Sequence, residues 1–132
     1  MKLARIIFGV AAAYGLLVLL PGLFTEAQFN QMNPPAINHP EFYYGFYGVA
    51  LVWQFVFILI ARDPLCYRSL MLLAVTEKAA FFVPSLLLWQ SGRLAVGGPF
   101  YGAMIDGVLM LLFAFAWWHS RPRADQTSAN SP

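Results

Sequence analysis

Four long apolar runs constrain this chain more than anything else in it, at residues 6–24, 43–61, 69–89 and 99–118. A helix of about 20 apolar residues spans the hydrocarbon layer of a bilayer. In lipid, backbone N–H and C=O groups meet no water, so each run must satisfy them internally and is predicted to be helical. A transmembrane barrel would instead show shorter segments of alternating polarity, and the sequence does not read that way. Of the 132 residues, 60% are hydrophobic and 11% charged, too little charge to cover a soluble domain. The expected fold class is all-α: an integral-membrane, antiparallel four-helix bundle, formed as a single domain by residues 1–120, with short connections that pack neighbouring helices antiparallel. The lipid bilayer is its first expected partner.

The cations give the orientation. Lys2 and Arg5 precede the first run, Arg62 and Arg68 lie between the second and third, and Arg121 and Arg123 follow the fourth. The alternate side carries Arg93 alone. The positive-inside rule then places both termini and the 62–68 turn in the cytoplasm. The net charge of +2 is thus topological, and no nucleic-acid partner is expected. Cys66, the single cysteine, falls on the cytoplasmic side and has no intramolecular disulfide partner. Residues 1–27 weakly resemble a signal peptide, with a basic start and a Thr25-Glu26-Ala27 ending. Their apolar run is long for one, so an uncleaved span is expected. Residues 121–132 are polar and lack apolar anchors, which reads as a disordered cytoplasmic tail.

Local signals punctuate the spans. His39-Pro40-Glu41, Asp63-Pro64 and Gly98-Pro99 each read as a helix start, with Asp63 as an N-cap. Gly9, Ala11, Ala12, Ala13 and Gly15 give the first span a surface that permits close helix contact. Residues 25–39 read as an ordered or semi-ordered outer loop, with Phe29, Met32 and Ile37 placed to meet the bundle or the lipid. Aromatics near the span ends, including Tyr43, Trp89, Tyr101, Trp117 and Trp118, read as an interfacial belt.

Thr76-Glu77-Lys78 breaks the third run near its middle, and Asp106 stands in the fourth. A charge in hydrocarbon costs roughly 2.5–3.5 kcal/mol on insertion scales, so such groups face a bundle interior and find partners. With a rise of about 1.5 Å per residue, Tyr14, Gln54, Glu77 and Lys78 fall near the midplane, with Asp106 closer to the outer face. Tyr43, Tyr47 and Gln54 share one stripe of the second helix. Glu77 and Lys78 point about 100° apart and are expected to look to different helices. The favoured pairings are Lys78 with Asp106, and Glu77 with Gln54 or a tyrosine hydroxyl, with the opposite allocation left open. Pro84 frees the Ala80 carbonyl near the Glu77 face and predicts a kink.

The candidate ligand-binding or buried polar network is therefore Glu77, Lys78, Asp106, Gln54, Tyr14 and Tyr47. Two readings compete for it: packing glue that fixes helix register, and a ligand, proton or ion site. No catalytic residue is assigned. Ser69, Ser85 and Ser91 lack a histidine at matching depth, and no phosphate loop is present. His39 and Glu41 are too few ligands to predict a metal site, and no cofactor is assigned.

The segments HPEFYYGFYGVALVWQ, RDPLCYR, LMLLAVTEKAAF and GAMIDGVLMLLF, with the four-span plan, resemble the DoxX-like group and uncharacterised small four-helix bacterial inner-membrane proteins. That resemblance covers most of residues 1–120. It implies a bundle in the bacterial inner membrane and an association with redox-linked membrane complexes, without a catalytic signature to place on numbered residues. Small multidrug-resistance transporters share the length and span number, but they carry their embedded glutamate in the first span, where this chain has Tyr14. Three functions follow as expectations. The first is an accessory or interaction subunit, partnered by another membrane protein or a second copy, whose polar network binds a small ligand or lipid. The alternatives are a proton- or cation-coupled small transporter and a membrane enzyme acting on a quinone or lipid.

Overall fold

The computed structural model describes residues 1–121, so the tail expected at 121–132 lies outside the described residues except for Arg121. The described chain is all-helical: α1 (Lys2–Gly22), α2 (Glu26–Met32), α3 (Pro40–Arg62), α4 (Arg68–Gln90) and α5 (Gly98–His119). All but α2 are long and apolar enough to cross a membrane. The helices start where proline permits. Pro40 and Pro99 occupy first-turn positions, where a missing N–H costs no hydrogen bond. Asp63 differs from its expected role. It closes α3, and its Oδ1 accepts the Cys66 N–H at 3.1 Å, so it caps the intervening turn while α4 begins at Arg68. The end of α4 is fixed by Gly92, whose φ of +72° suits glycine. There the Arg93 N–H reaches the Leu88 carbonyl and the Gly92 N–H the Trp89 carbonyl, a Schellman closure.

The long helices pack as two intimate pairs, α1 on α3 and α4 on α5, joined by lighter α1–α5 and α3–α4 contacts. Small residues make the first pairing possible. A methyl group on Gly15 would overlap the Gln54 carboxamide, and one on Gly22 would overlap the Tyr47 ring. Gly107 does the same for α4–α5, where the Phe82 ring occupies the space of a β-carbon.

One core joins the first halves of α1 and α4 to the last halves of α3 and α5. It comprises Ala4, Phe8, Ala11, Ala12, Phe57, Ile60, Met71, Ala74, Phe113 and Ala116. Phe8 stacks on Phe113 at 4.2 Å between ring centroids, and Phe57 meets both at 6.0 and 5.0 Å. These three rings, none of them accessible, plug the end of the molecule that holds the N-terminus and the α3–α4 turn. At that end Arg68 lies 4.6 Å over Trp117 and donates to its carbonyl at 3.2 Å, while Arg121 lies 3.7 Å over Trp118.

The opposite end is built differently. Residues 25–39, expected as a loop, include α2 and are tied internally. The Asn33 amide donates to the Phe29 carbonyl, and the Ile37 N–H donates to Asn30 Oδ1. Phe29 packs on Tyr43 at 5.3 Å. Tyr43 departs from the belt assignment. It is buried, and its hydroxyl donates to the Gly22 carbonyl at 2.6 Å, anchoring the end of α1.

Phe113→Ala is expected to lower stability by about 3 kcal/mol, the packing and cavity loss of a buried ring. Leu17→Ala, at a side chain that is largely exposed toward the predicted lipid, is expected to stay within about 0.5 kcal/mol of wild type. Thermal unfolding of both variants in detergent measures the contrast.

Candidate functional site

Above the aromatic plug the bundle opens into a chamber of about 790 Å³. All four long helices and the α2 segment contribute to its lining. Tyr14 and Gly15 come from α1, Tyr47 and Gln54 from α3, Glu77 and Lys78 from α4, and Asp106 from α5. Asn33, Ile37 and His39 close it from the α2 side. All six residues proposed for the polar network thus line one cavity, although they do not form one hydrogen-bonded chain.

The charged group is compact. Lys78 Nζ lies 3.1 Å from Asp106 Oδ1 and 3.3 Å from Glu77 Oε2. The Glu77 contact corrects the expectation that sequence neighbours on a helix look apart. The lysine stem is long enough to fold its ammonium back over the preceding residue while still reaching α5. Its side chain is 8% exposed, against 16% for Glu77 and 17% for Asp106. The ammonium is therefore sheltered and both carboxylates reach the chamber wall. The ammonium also lies 5.4 Å from the Phe57 ring, which joins the charged group to the plug beneath it.

Pairing within the group is incomplete. Glu77 Oε1 accepts from Lys78 at 3.5 Å, at the limit of a hydrogen bond. Glu77 Oε2 is closer to the ammonium, at an ion-pair distance without hydrogen-bond geometry, and it is buried without a hydrogen-bond partner. Gln54 does not supply one, contrary to expectation: its Nε2 donates to the Ala50 carbonyl of its own helix at 2.8 Å, and its carboxamide packs on Gly15. No tyrosine hydroxyl supplies one either. Thr76 turns away, bonding the Leu72 carbonyl at 3.0 Å on an exposed face. One ammonium thus faces two carboxylates, and when all three are ionised one negative charge is left over.

A second depression of about 610 Å³ lies outside the chamber on the α3–α4 seam. Phe46, Ala50, Glu77 and Phe81 line both spaces, so this wall is one side chain thick and contains a carboxylate. Phe46 and Phe81 meet across it at 5.2 Å. α4 continues through Pro84 as one helix, and Ala80, whose carbonyl loses the Pro84 donor, lines the outer depression beside Glu77.

His39 Nδ1 and Glu41 Oε1 meet at 3.0 Å on the exposed start of α3. Among the described residues no group of three or more His, Cys, Asp or Glu side chains converges. Phe29, Met32 and Ile37, expected to meet the bundle or the lipid, all line the chamber. Sequence reasoning missed the α2 helix itself and the Phe46–Phe81 wall. The polar side chains of Asn30 and Asn33 were the available signal for an ordered cover.

Lys78→Ala is expected to cost about 3–5 kcal/mol, because it strands two carboxylates in a low-dielectric interior. The neutral triple variant Glu77→Gln/Lys78→Met/Asp106→Asn is expected to recover most of that loss. Equal melting temperatures for Lys78→Ala and wild type would refute the structural weight given to the ammonium. Comparison with protein-family models, with curated proteins and with solved structures returned no match.

Proposed function

We propose that this chain is a small binding or accessory subunit of a bacterial inner membrane, and that its chamber holds one small amphiphilic molecule. The carrying observation is a large, mostly apolar cavity with a sheltered, incompletely paired charged group in its wall. An apolar cavity with few convergent polar groups is the usual form of a small-molecule site, and buried charge inside a span is a functional signal. The three-ring plug closes the chamber at one end, which favours holding a molecule over conducting one. The DoxX-like resemblance belongs to this proposal and rests on the segments that carry it.

The proposed orientation is an antiparallel bundle with both termini cytoplasmic. The core shared by the first halves of α1 and α4 and the last halves of α3 and α5 supports the alternation. The cations gathered at the plug end support the side. Cys66 offers a direct check, because it is exposed and unique. A membrane-impermeant maleimide is expected to label Cys66 in inside-out vesicles and to spare it in right-side-out vesicles.

A second reading, an enzyme acting on a quinone or lipid with Glu77 as acid or base, is favoured by Tyr14, Tyr47, Gln54 and Glu77 all lining the chamber. Native mass spectrometry after gentle extraction tests binding first. Gly102 belongs to the chamber lining and a β-carbon there meets nothing within 4 Å, so Gly102→Phe is the variant chosen to obstruct the chamber. Wild type is expected to carry a co-purifying molecule that Gly102→Phe lacks. A bare wild-type protein would remove the binding reading, and a partner retained equally in both would move function to the outer surface.

A further inference from the structure

We propose that the α3–α4 seam is a lateral portal, and that the molecule passing it is a lipophilic organic cation drawn from the bilayer. This rests on the chamber being a binding site and adds the chemical class and the route.

The class follows from charge. Glu77 and Asp106 against Lys78 leave one negative charge uncompensated in the chamber wall when all three are ionised, and His39, the other titratable group there besides the tyrosines, stands on the α2 side. Uncompensated charge in a low-dielectric cavity is costly, and where a proton does not neutralise it a monovalent cation is the complement. The rest of the wall suits an organic cation over an inorganic one. Its lining includes Tyr14, Phe46, Tyr47 and Phe81, whose ring faces attract diffuse positive charge. A small metal ion would instead need several oxygen ligands, and the two carboxylates are already shared with an ammonium.

The route follows from packing. The α3–α4 interface is among the lighter of the helix contacts, and the depression on it abuts the chamber. The outer approach is flanked by Gly45, Val49, Leu73 and Thr76. Val49 and Leu73 are more than half exposed, at positions that face the hydrocarbon once the helices span a membrane. A carboxylate at the inner end of such an apolar approach has no packing purpose that a leucine would not serve better. Phe46 and Phe81, whose rings meet at 5.2 Å, form the closure.

The test uses wild-type protein in nanodiscs with radiolabelled tetraphenylphosphonium, and tetraphenylborate as a probe of similar shape and opposite charge. The cation is expected to bind and the anion not to. Glu77→Gln and Asp106→Asn are each expected to weaken cation binding about tenfold, equivalent to about 1.4 kcal/mol. Gly45→Phe places a ring in the outer approach, where its β-carbon meets nothing within 4 Å. It is expected to slow both association and dissociation about tenfold at unchanged Kd, and Thr76→Phe repeats the test from α4. Equal binding of the anion, or no binding of the cation while Gly102→Phe still loses a co-purifying molecule, overturns the class and leaves the binding site standing. Unchanged exchange rates in both portal variants overturn the route.

Discussion

An ammonium held between two carboxylates inside a bundle of apolar helices is the interaction on which this molecule turns. In water such a group would contribute little. In a span it fixes which faces of α4 and α5 must meet, because turning either helix strands a charge in hydrocarbon. The Lys78–Asp106 contact ties the intimately packed α4 and α5 together at 3.1 Å, as a register-setting pair would. Glu77 needs a different account, since Lys78 is already paired without it. It adds a negative charge that register does not require, in the wall between two cavities.

Around that group the molecule divides. Toward the chain's N-terminus, aromatic rings and alanines fill the interior, and arginine–tryptophan contacts finish the end. Toward α2, the same four helices enclose space. The difference follows from the side chains at equivalent depths. Phe8, Phe57 and Phe113 converge at one level, whereas Gly15, Ala50 and Gly102 line the chamber at the other. Lipid supplies no hydrophobic drive for helices to close such a space, so helix contact depends on packing and polar bonds. The covering segment is held by a few of these: Phe29 against Tyr43, Tyr43 to Gly22, and the exposed Tyr44 hydroxyl donating to Glu26 at 2.7 Å.

Much of this was legible in the sequence, for identifiable reasons. The long helices follow the apolar runs closely, because their length and composition leave no other structure in lipid. Pro40 and Pro99 marked two starts because proline has one comfortable place in a helix. Lys78 was paired with Asp106 because its long stem reaches toward an acid somewhat nearer the outer face, and the two do meet at 3.1 Å. The errors share a cause, which is that one-dimensional spacing does not see what a flexible side chain does. Lys78 folds back to Glu77, and Gln54 satisfies itself on its own helix. Tyr43 looked like a belt residue because its position is near a span end, but its hydroxyl has a buried carbonyl to serve. Gly92 carried a readable signal for the Schellman closure in the run Gln90-Ser91-Gly92 that was passed over. The chamber had no sequence signal, since a cavity is what side chains leave out.

The uneven pairing of the helices has a mechanical consequence. α1 clasps α3 and α4 clasps α5, while the contacts between the two pairs are sparser. All four meet in the core around the three-ring plug, where α1, α3 and α5 supply the rings and α4 supplies Met71 and Ala74. Such an arrangement behaves like a pair of tongs: two stiff arms joined at one end, whose softest deformation is a splaying of the free ends. Distances within each arm would stay fixed during that motion, while those across the α3–α4 seam would grow with height above the pivot.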